Sequence, residues 1–240
     1  MRLKFIVCKT IQREAYLCAA RSTNEVDVVL MPHGLHCEPD KLRRAVQAEV
    51  DKTLDLQDRL YDGVLLGYAL CSNGIVGIQA RTVPVVVARG HDCITLLLGS
   101  KEHYQAYFDS HRGVYWYSAG WIESSLQPGQ ERYEKTLLTY REKYGEDNAR
   151  YLMEMEQGWL REYAWATYVD WGFPNSEEYR RFTRRCAEWL KWNYDELPGD
   201  PSLLQKLVDG KWNEQEFLIV SPGRKIAADL TASGIIKAEG

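Results

Sequence analysis

Apolar and polar positions are arranged in blocks along this chain. Short apolar runs at residues 3–7, 26–31, 64–69 and 83–88 are separated by polar turns and by stretches with helical spacing. Runs of this length bounded by turn residues read as buried strands, and apolar positions recurring at three and four read as a helix with one buried stripe. The stretch 11–21 has that spacing. After Asp40, a residue suited to cap a helix, Leu42, Ala45, Val46 and Val50 fall on one face. Apolar strands alternating with helices predict an α/β fold, a Rossmann-like and mostly parallel sheet with helices on both faces. A further helix is predicted over 100–110 and a fifth strand over 114–118. The pattern then changes. Residues 130–162 are charged and helical with a break at Gly145. A strand at 167–170, helices at 176–192 and 203–208, and a closing strand at 217–220 follow, and the tail from Thr231 is expected to fray. These patterns predict an α/β half over residues 1–123 and a helix-rich α/β second half over 124–240, packed on the first.

Parallel sheets collect ligands at the carboxyl ends of their strands. Cys8, Cys71 and Cys93 each follow one of the predicted strands, and His33, His36, Cys37 and His91 share that address. The stretch Val85-Val86-Val87-Ala88-Arg89-Gly90-His91-Asp92-Cys93 is the organising one. A buried strand runs into a sharp turn with three metal- or proton-competent side chains, and an apolar helix begins at once. The 240 residues suffice for a real core. A net charge of −4 gives no electrostatic case for nucleic acid or an anionic membrane surface. No apolar run approaches the ~20 residues of a membrane span, and the first residues lack a signal peptide's longer apolar core. A cytoplasmic protein is expected. In a reducing compartment its six cysteines are thiols or metal ligands rather than disulfides. There is no CxxC pair.

Two metal readings follow. Cys8, Cys71 and Cys93 could hold a [4Fe–4S] cluster on three thiolates, with one iron left open as a Lewis acid toward a carboxylate, hydroxyl or sulfur. Lyases and desulfurising enzymes offer an architectural parallel. Alternatively, the H-x-C element His91-Asp92-Cys93 and a thiolate from Cys71 or Cys8 would make a zinc site with an open fourth position. Such a site activates a thiol, as in corrinoid-dependent methyltransferases. Against both stands packing, because a buried cysteine at a strand end commonly serves as a small apolar residue. Cys18 and Cys186 lie in helical patterns and are assigned to packing. Cys37 sits in the right loop, but beside an acidic residue and a proline, and is left open.

His91 and His36 are the candidate proton carriers, with Asp92 orienting the His91 ring. Asn73 and Gly74 stand where a helix N-terminus would follow a strand and present backbone N–H groups to an anion, although a tight turn alone would explain the glycine. Arg89 is a candidate clamp for an anionic substrate or a structural ion pair. Trp121 could wall the pocket or join the two halves.

At Gly67-Tyr68-Ala69-Leu70-Cys71-Ser72-Asn73-Gly74, at residues 89–100 (RGHDCITLLLGS) and at Gly120-Trp121-Ile122-Glu123, the chain resembles the bacterial and archaeal family of the domain of unknown function 1638 (DUF1638). Leu35-His36 and residues 217–223 also fit, so the likeness spans nearly the whole chain. One departure is Ser72-Asn73, where the pattern calls for a glycine next to Cys71. The resemblance brings no established reaction. It implies a link to anaerobic one-carbon and corrinoid methyl-transfer metabolism, with a corrinoid protein or methyltransferase as partner. It fits either metal reading and also an accessory protein without turnover.

Overall fold

A computed structural model of the protein describes residues 1–229, 231 and 235–240. In chain order the elements begin with β1 (Arg2–Cys8), α1 (Gln12–Arg21), β2 (Glu25–Met31), α2 (Pro39–Val50), β3 (Gly63–Gly67), β4 (Val85–Ala88), α3 (Ile94–Leu98) and α4 (Lys101–Ser110). Next come β5 (Val114–Tyr117), α5 (Ala119–Ser124), α6 (Gln130–Tyr144), α7 (Glu146–Gln157), β6 (Trp165–Asp170), α8 (Ser176–Leu190) and β7 (Asn193–Pro198). Then follow α9 (Ser202–Val208), β8 (Phe217–Val220), β9 (Lys225–Asp229) and β10 (Ile235–Glu239). Met1–Gln105 and Gly199–Gly240 form one unit, and Ala106–Pro198 a second. Where the pattern suggested a single division at residue 123, the chain returns to its first unit after Pro198. The apolar α9 and β8 supply the physical reason, since both are buried there.

The first unit is built on a mostly parallel sheet in the order β2-β1-β3-β4-β8, in which only β8 runs antiparallel, against β4. Its central strands β3 and β4 are apolar throughout because both faces are covered. Ile6, Val64, Leu66, Val85 and Val87 share one core with Leu42, Val46 and Val50 of α2. On the other face α1 and α9 pack, with Ile11, Ala15, Leu203, Leu204 and Leu207 fully or almost fully buried. Each such aliphatic side chain contributes roughly 1.5–3 kcal/mol by leaving water. The run at 26–31, expected to be buried, forms an edge strand that is only half covered, because β1 is its single neighbour.

Lys4 interrupts the apolar run of β1 and is nevertheless buried. Its ammonium donates to the main-chain oxygens of Glu49, at 2.7 Å, and Lys52, at 3.2 Å, and to the Glu49 carboxylate at 3.1 Å. The cation thus sits on the carbonyls at the carboxyl end of α2, where the helix dipole favours positive charge. At the far end of the strands Gly67 is obligatory. A Cβ there would lie 2.6 Å from Val7 Cγ2 and 3.0 Å from Phe5.

β1 has β2 on one side and β3 on the other. The chain therefore reverses its direction of winding at β1, which leaves a crevice at the carboxyl ends of β1 and β3.

In the second unit β5, β6 and β7 make a three-stranded parallel sheet, with Tyr117, Ala166, Tyr168, Tyr179 and Cys186 in its core. Gly145, at φ 81°, separates α6 from α7 as the pattern predicts. β7 has no counterpart in the sequence reading, since its NYDELP is polar and its strand character comes from pairing with β6. β9 and β10 pair antiparallel where a frayed tail was expected; residues 232–234 of that tail lie outside the described residues. Among the described residues no helix is long and apolar enough to cross a membrane.

Candidate functional site

Three loops leave the carboxyl ends of β1, β3 and β4. β1 finishes at Cys8, and a 3-10 turn at Lys9–Ile11 brings Thr10 back beside it. The Thr10 hydroxyl, itself buried, donates to Cys8 Sγ at 3.0 Å and also bonds the Cys93 thiol. β3 continues as Tyr68-Ala69-Leu70 to Cys71. β4 continues through Arg89 and Gly90 to His91, Asp92 and Cys93. Two backbone bonds fasten the second loop to the third: Leu70 N–H donates to Gly90 O at 3.0 Å, and Cys71 N–H to His91 O at 2.9 Å. Gly90 is needed because a Cβ would fall within 3.0 Å of the Thr95 side chain.

The structure brings Cys8, Cys71 and Cys93 together. Burial above all pushes the Cys71 thiol up to about 12, with Asp92 and Cys8 acting in the same direction and backbone hydrogen bonds at Ala69 and Cys93 against it. Cys93 is raised well above the ordinary thiol range by burial and then by its neighbours Cys71, Cys8 and Asp92. Tyr68 points at the same place. It is 2% exposed, and its buried hydroxyl has the Cys8 thiol as its neighbour. Burial, then Cys8, Cys71 and Cys93, hold it in the protonated form. Left to themselves the Cys71 and Cys93 thiols stay neutral, and thiolate character there would have to come from a bound cation.

The turn that presents Cys71 is strained. Cys71, Ser72 and Asn73 adopt φ 45°, 55° and 64° in succession, all left-handed and none a glycine. Side chains in that region cost roughly 1–2 kcal/mol per residue, and such strain gathers at functional sites. No helix follows it, because residues 71–77 are turns. The expected anion cradle at a helix N-terminus therefore has no helix behind it. Asn73 is exposed, and Gly74 is close-packed, since a Cβ would lie 2.4 Å from Leu42 Cδ2.

Asp92 gathers the histidines. Burial raises its carboxyl, while Tyr104, donating at 3.0 Å, the Ile94 N–H at 3.0 Å and the positive character of His91 act in the opposite direction. His36, from the loop after β2, is lowered by burial and by neighbouring His33, against the attraction of Asp92. His36 thus stands near Asp92 of the loop that carries Cys93, with His33 beside His36 and His91, on the loop itself, exposed.

Other expected residues lie elsewhere. Arg89 donates through Nε to Glu214 O at 2.9 Å and through Nη1 to Ile236 O. It lines a cleft of about 860 Å3 with Lys101, Lys206, Glu216 and Asp229, and none of the three cysteines takes part in that lining. Trp121 belongs to the second unit, where its indole donates to Tyr115 at 3.2 Å. Cys18 and Cys186 are buried in their helices and Cys37 is exposed. Thr10, Tyr68 and Tyr104 escaped the sequence reading. Thr10 had a signal in standing two residues from a candidate thiol, and Tyr68 in carrying a hydroxyl inside an apolar run.

Among the described residues no three His, Cys, Asp or Glu side chains stand as the ligand set of a single ion.

No curated protein and no solved structure matches the chain. One family model does, over residues 30–208, a stretch that contains Cys71, Cys93, His36 and His91 and begins after Cys8. On that match the chain belongs to the DUF1638 family, described as a protein of unknown function.

Proposed function

We propose that Cys8, Cys71 and Cys93 hold a [4Fe–4S] cluster through three thiolates, in a cytoplasmic enzyme acting on a small anionic or sulfur-containing substrate. One observation carries the reading. Thiols from three separate strand ends lie within electrostatic reach of one another, with the Tyr68 hydroxyl turned toward them. The donor set is chemically suited, since thiolate is the usual ligand of such clusters. A cluster distributes its cysteines over several irons, so its thiolates stand farther apart than the ligands of one ion.

When bound, the group would supply an open iron as a Lewis acid toward oxygen or sulfur. The chain's own residues do the rest. Thr10 donates to the sulfur of Cys8 and so orients it. The two backbone bonds between the β3 and β4 loops fix the spacing of Cys71 and Cys93. Cys8 and Cys71 are buried away from bulk water, and Cys93 is half-buried. His36 and His91, both within electrostatic reach of Asp92, are placed to hold or pass a proton at the rim.

The test is iron, zinc and acid-labile sulfide analysis of anoxically purified protein, with an absorption spectrum of the same sample. The expected result is about four irons and four sulfides with a broad shoulder near ~400 nm. Cys93→Ala should lose the iron and Cys186→Ala should keep it. Stoichiometric zinc without sulfide would replace the cluster by a thiol-activating site. Absence of any metal, or full iron content in the Cys93 variant, would return the cysteines to packing.

A further inference from the structure

The outer face of α2 carries a concentration of charge unrelated to the thiols. Leu42, Val46 and Val50 are buried against the sheet. Arg43, Arg44, Gln47, Ala48 and Asp51 therefore occupy the outward rows, where residues three and four apart are neighbours. Together with Gly77, Gln79 and Arg81 they line a depression of about 370 Å3.

Its floor is fixed by reciprocal bonds. Gln47 Nε2 donates to Gln79 O at 3.0 Å, and Gln79 N–H donates to Gln47 Oε1 at 2.7 Å. Gly77, at φ 89°, brings bare backbone under the Arg43 side chain, whose Cδ would lie 3.2 Å from any Cβ built there. Ala48 contributes only a methyl group and leaves the space between the arginines open.

The charge in this depression is unbalanced. Three guanidinium groups face one carboxylate, that of Asp51, which already accepts from Gln47 at 2.7 Å and Arg81 at 3.2 Å. Arg43 pairs with Asp40, a mostly exposed residue one turn away. Arg44 has neither a carboxylate nor a hydrogen-bond partner among the described residues. Exposed pairs of this kind contribute little and are readily exchanged for a ligand. The excess stands out in a chain whose net charge is −4. Guanidinium presents a planar fork of donors that matches two oxygens of a phosphate.

We infer that this depression binds a dianionic oxyanion, namely phosphate or the phosphate group of a small ester. Its volume lies near the lower end of the roughly 300–1,000 Å3 typical of small-molecule pockets, which leaves room beside the phosphate for an organic part. The site shares no residue with the thiol loops and stands whether or not they bind metal.

The experiment is a 31P NMR titration of the full chain with inorganic phosphate and with phenyl phosphate, against chloride at matched ionic strength. Saturable binding of either probe is expected. Arg44→Ala should weaken it roughly tenfold, as loss of one guanidinium fork does. Ala48→Leu keeps every charge and good helix propensity but fills the depression, and should weaken phenyl phosphate binding. Both positions are exposed, and thermal unfolding of each variant reports that it folds. Weakening in either variant supports the site. A response that never saturates, or saturable binding that both variants leave unchanged, overturns it.

Discussion

Ser72 sits at φ 55° between two other left-handed residues, Cys71 and Asn73. Its side chain is exposed, so its conformational strain has no compensating contact to lose. Glycine would remove a strain of about 1–2 kcal/mol and return roughly 0.5–1 kcal/mol through the greater entropy of the unfolded chain. Ser72→Gly should therefore stabilise the protein modestly, by about 0.5 kcal/mol, read as a higher midpoint in urea unfolding. Ser72→Val should destabilise it. A lower midpoint for the glycine variant would mean that the serine makes a contact of its own. The residue scale is also where the sequence was most and least legible. That Cys8, Cys71 and Cys93 stand beyond the carboxyl ends of strands of one sheet followed from one rule, that strand carboxyl ends in a parallel sheet face the same way. Thr10 and Tyr68 could not be read off in the same manner, because their roles depend on which way one side chain turns after its strand has ended. Arg89 shows the opposite error. Its position in the chain was right for a substrate clamp, but its guanidinium is engaged with the main-chain oxygens of Glu214 and Ile236.

Among the elements, β1 and α2 are joined by a buried charge. Glu49 is raised by burial, but hydrogen bonds from Lys52 and Lys4 outweigh this and lower its carboxyl below the ordinary value. A carboxyl lowered by folding contributes stability that is present above its unfolded value and is lost as pH falls through the folded one. Glu49→Gln should accordingly cost more stability at pH 7 than at pH 3, measured by denaturant unfolding at both. An equal cost at the two pH values would mean that the carboxylate's charge plays no part. The same scale explains which elements the pattern revealed. β1, β3 and β4 are covered on both faces and so read as continuous apolar runs. β7 and β10 are strands by virtue of a single neighbour, β6 and β9 respectively, and an edge strand open to water need carry no apolar signature.

At the scale of the whole molecule, the first unit is discontinuous. Met1–Gln105 is completed by Gly199–Gly240 across the inserted second unit. Hydrophobic patterning reports which segments are buried, not in which core, and so the division near residue 123 and the observed grouping differ. The contribution of the returning segment is large, because Leu203, Leu204, Leu207, Val208, Phe217 and Val220 are all at most 2% exposed. A chain cut after Pro198 should lose amide protection in β1, β3 and β4, as followed by hydrogen exchange. The contiguous strands β5 to β7 should keep theirs. Persistent protection of β4 would show that the parallel sheet stands without the returning segment.

The antiparallel seating of β8 on β4 has a consequence for synthesis. β4 ends at Ala88 and its edge partner begins only at Phe217. At ribosomal speeds of about 5–20 residues per second, that edge waits on the order of ten seconds for its partner. During that interval Val85, Val86 and Val87 present an apolar strand with unpaired amides, the kind of edge on which foreign strands aggregate. The nascent chain is most in need of a chaperone between these two strands, while the second unit is being made.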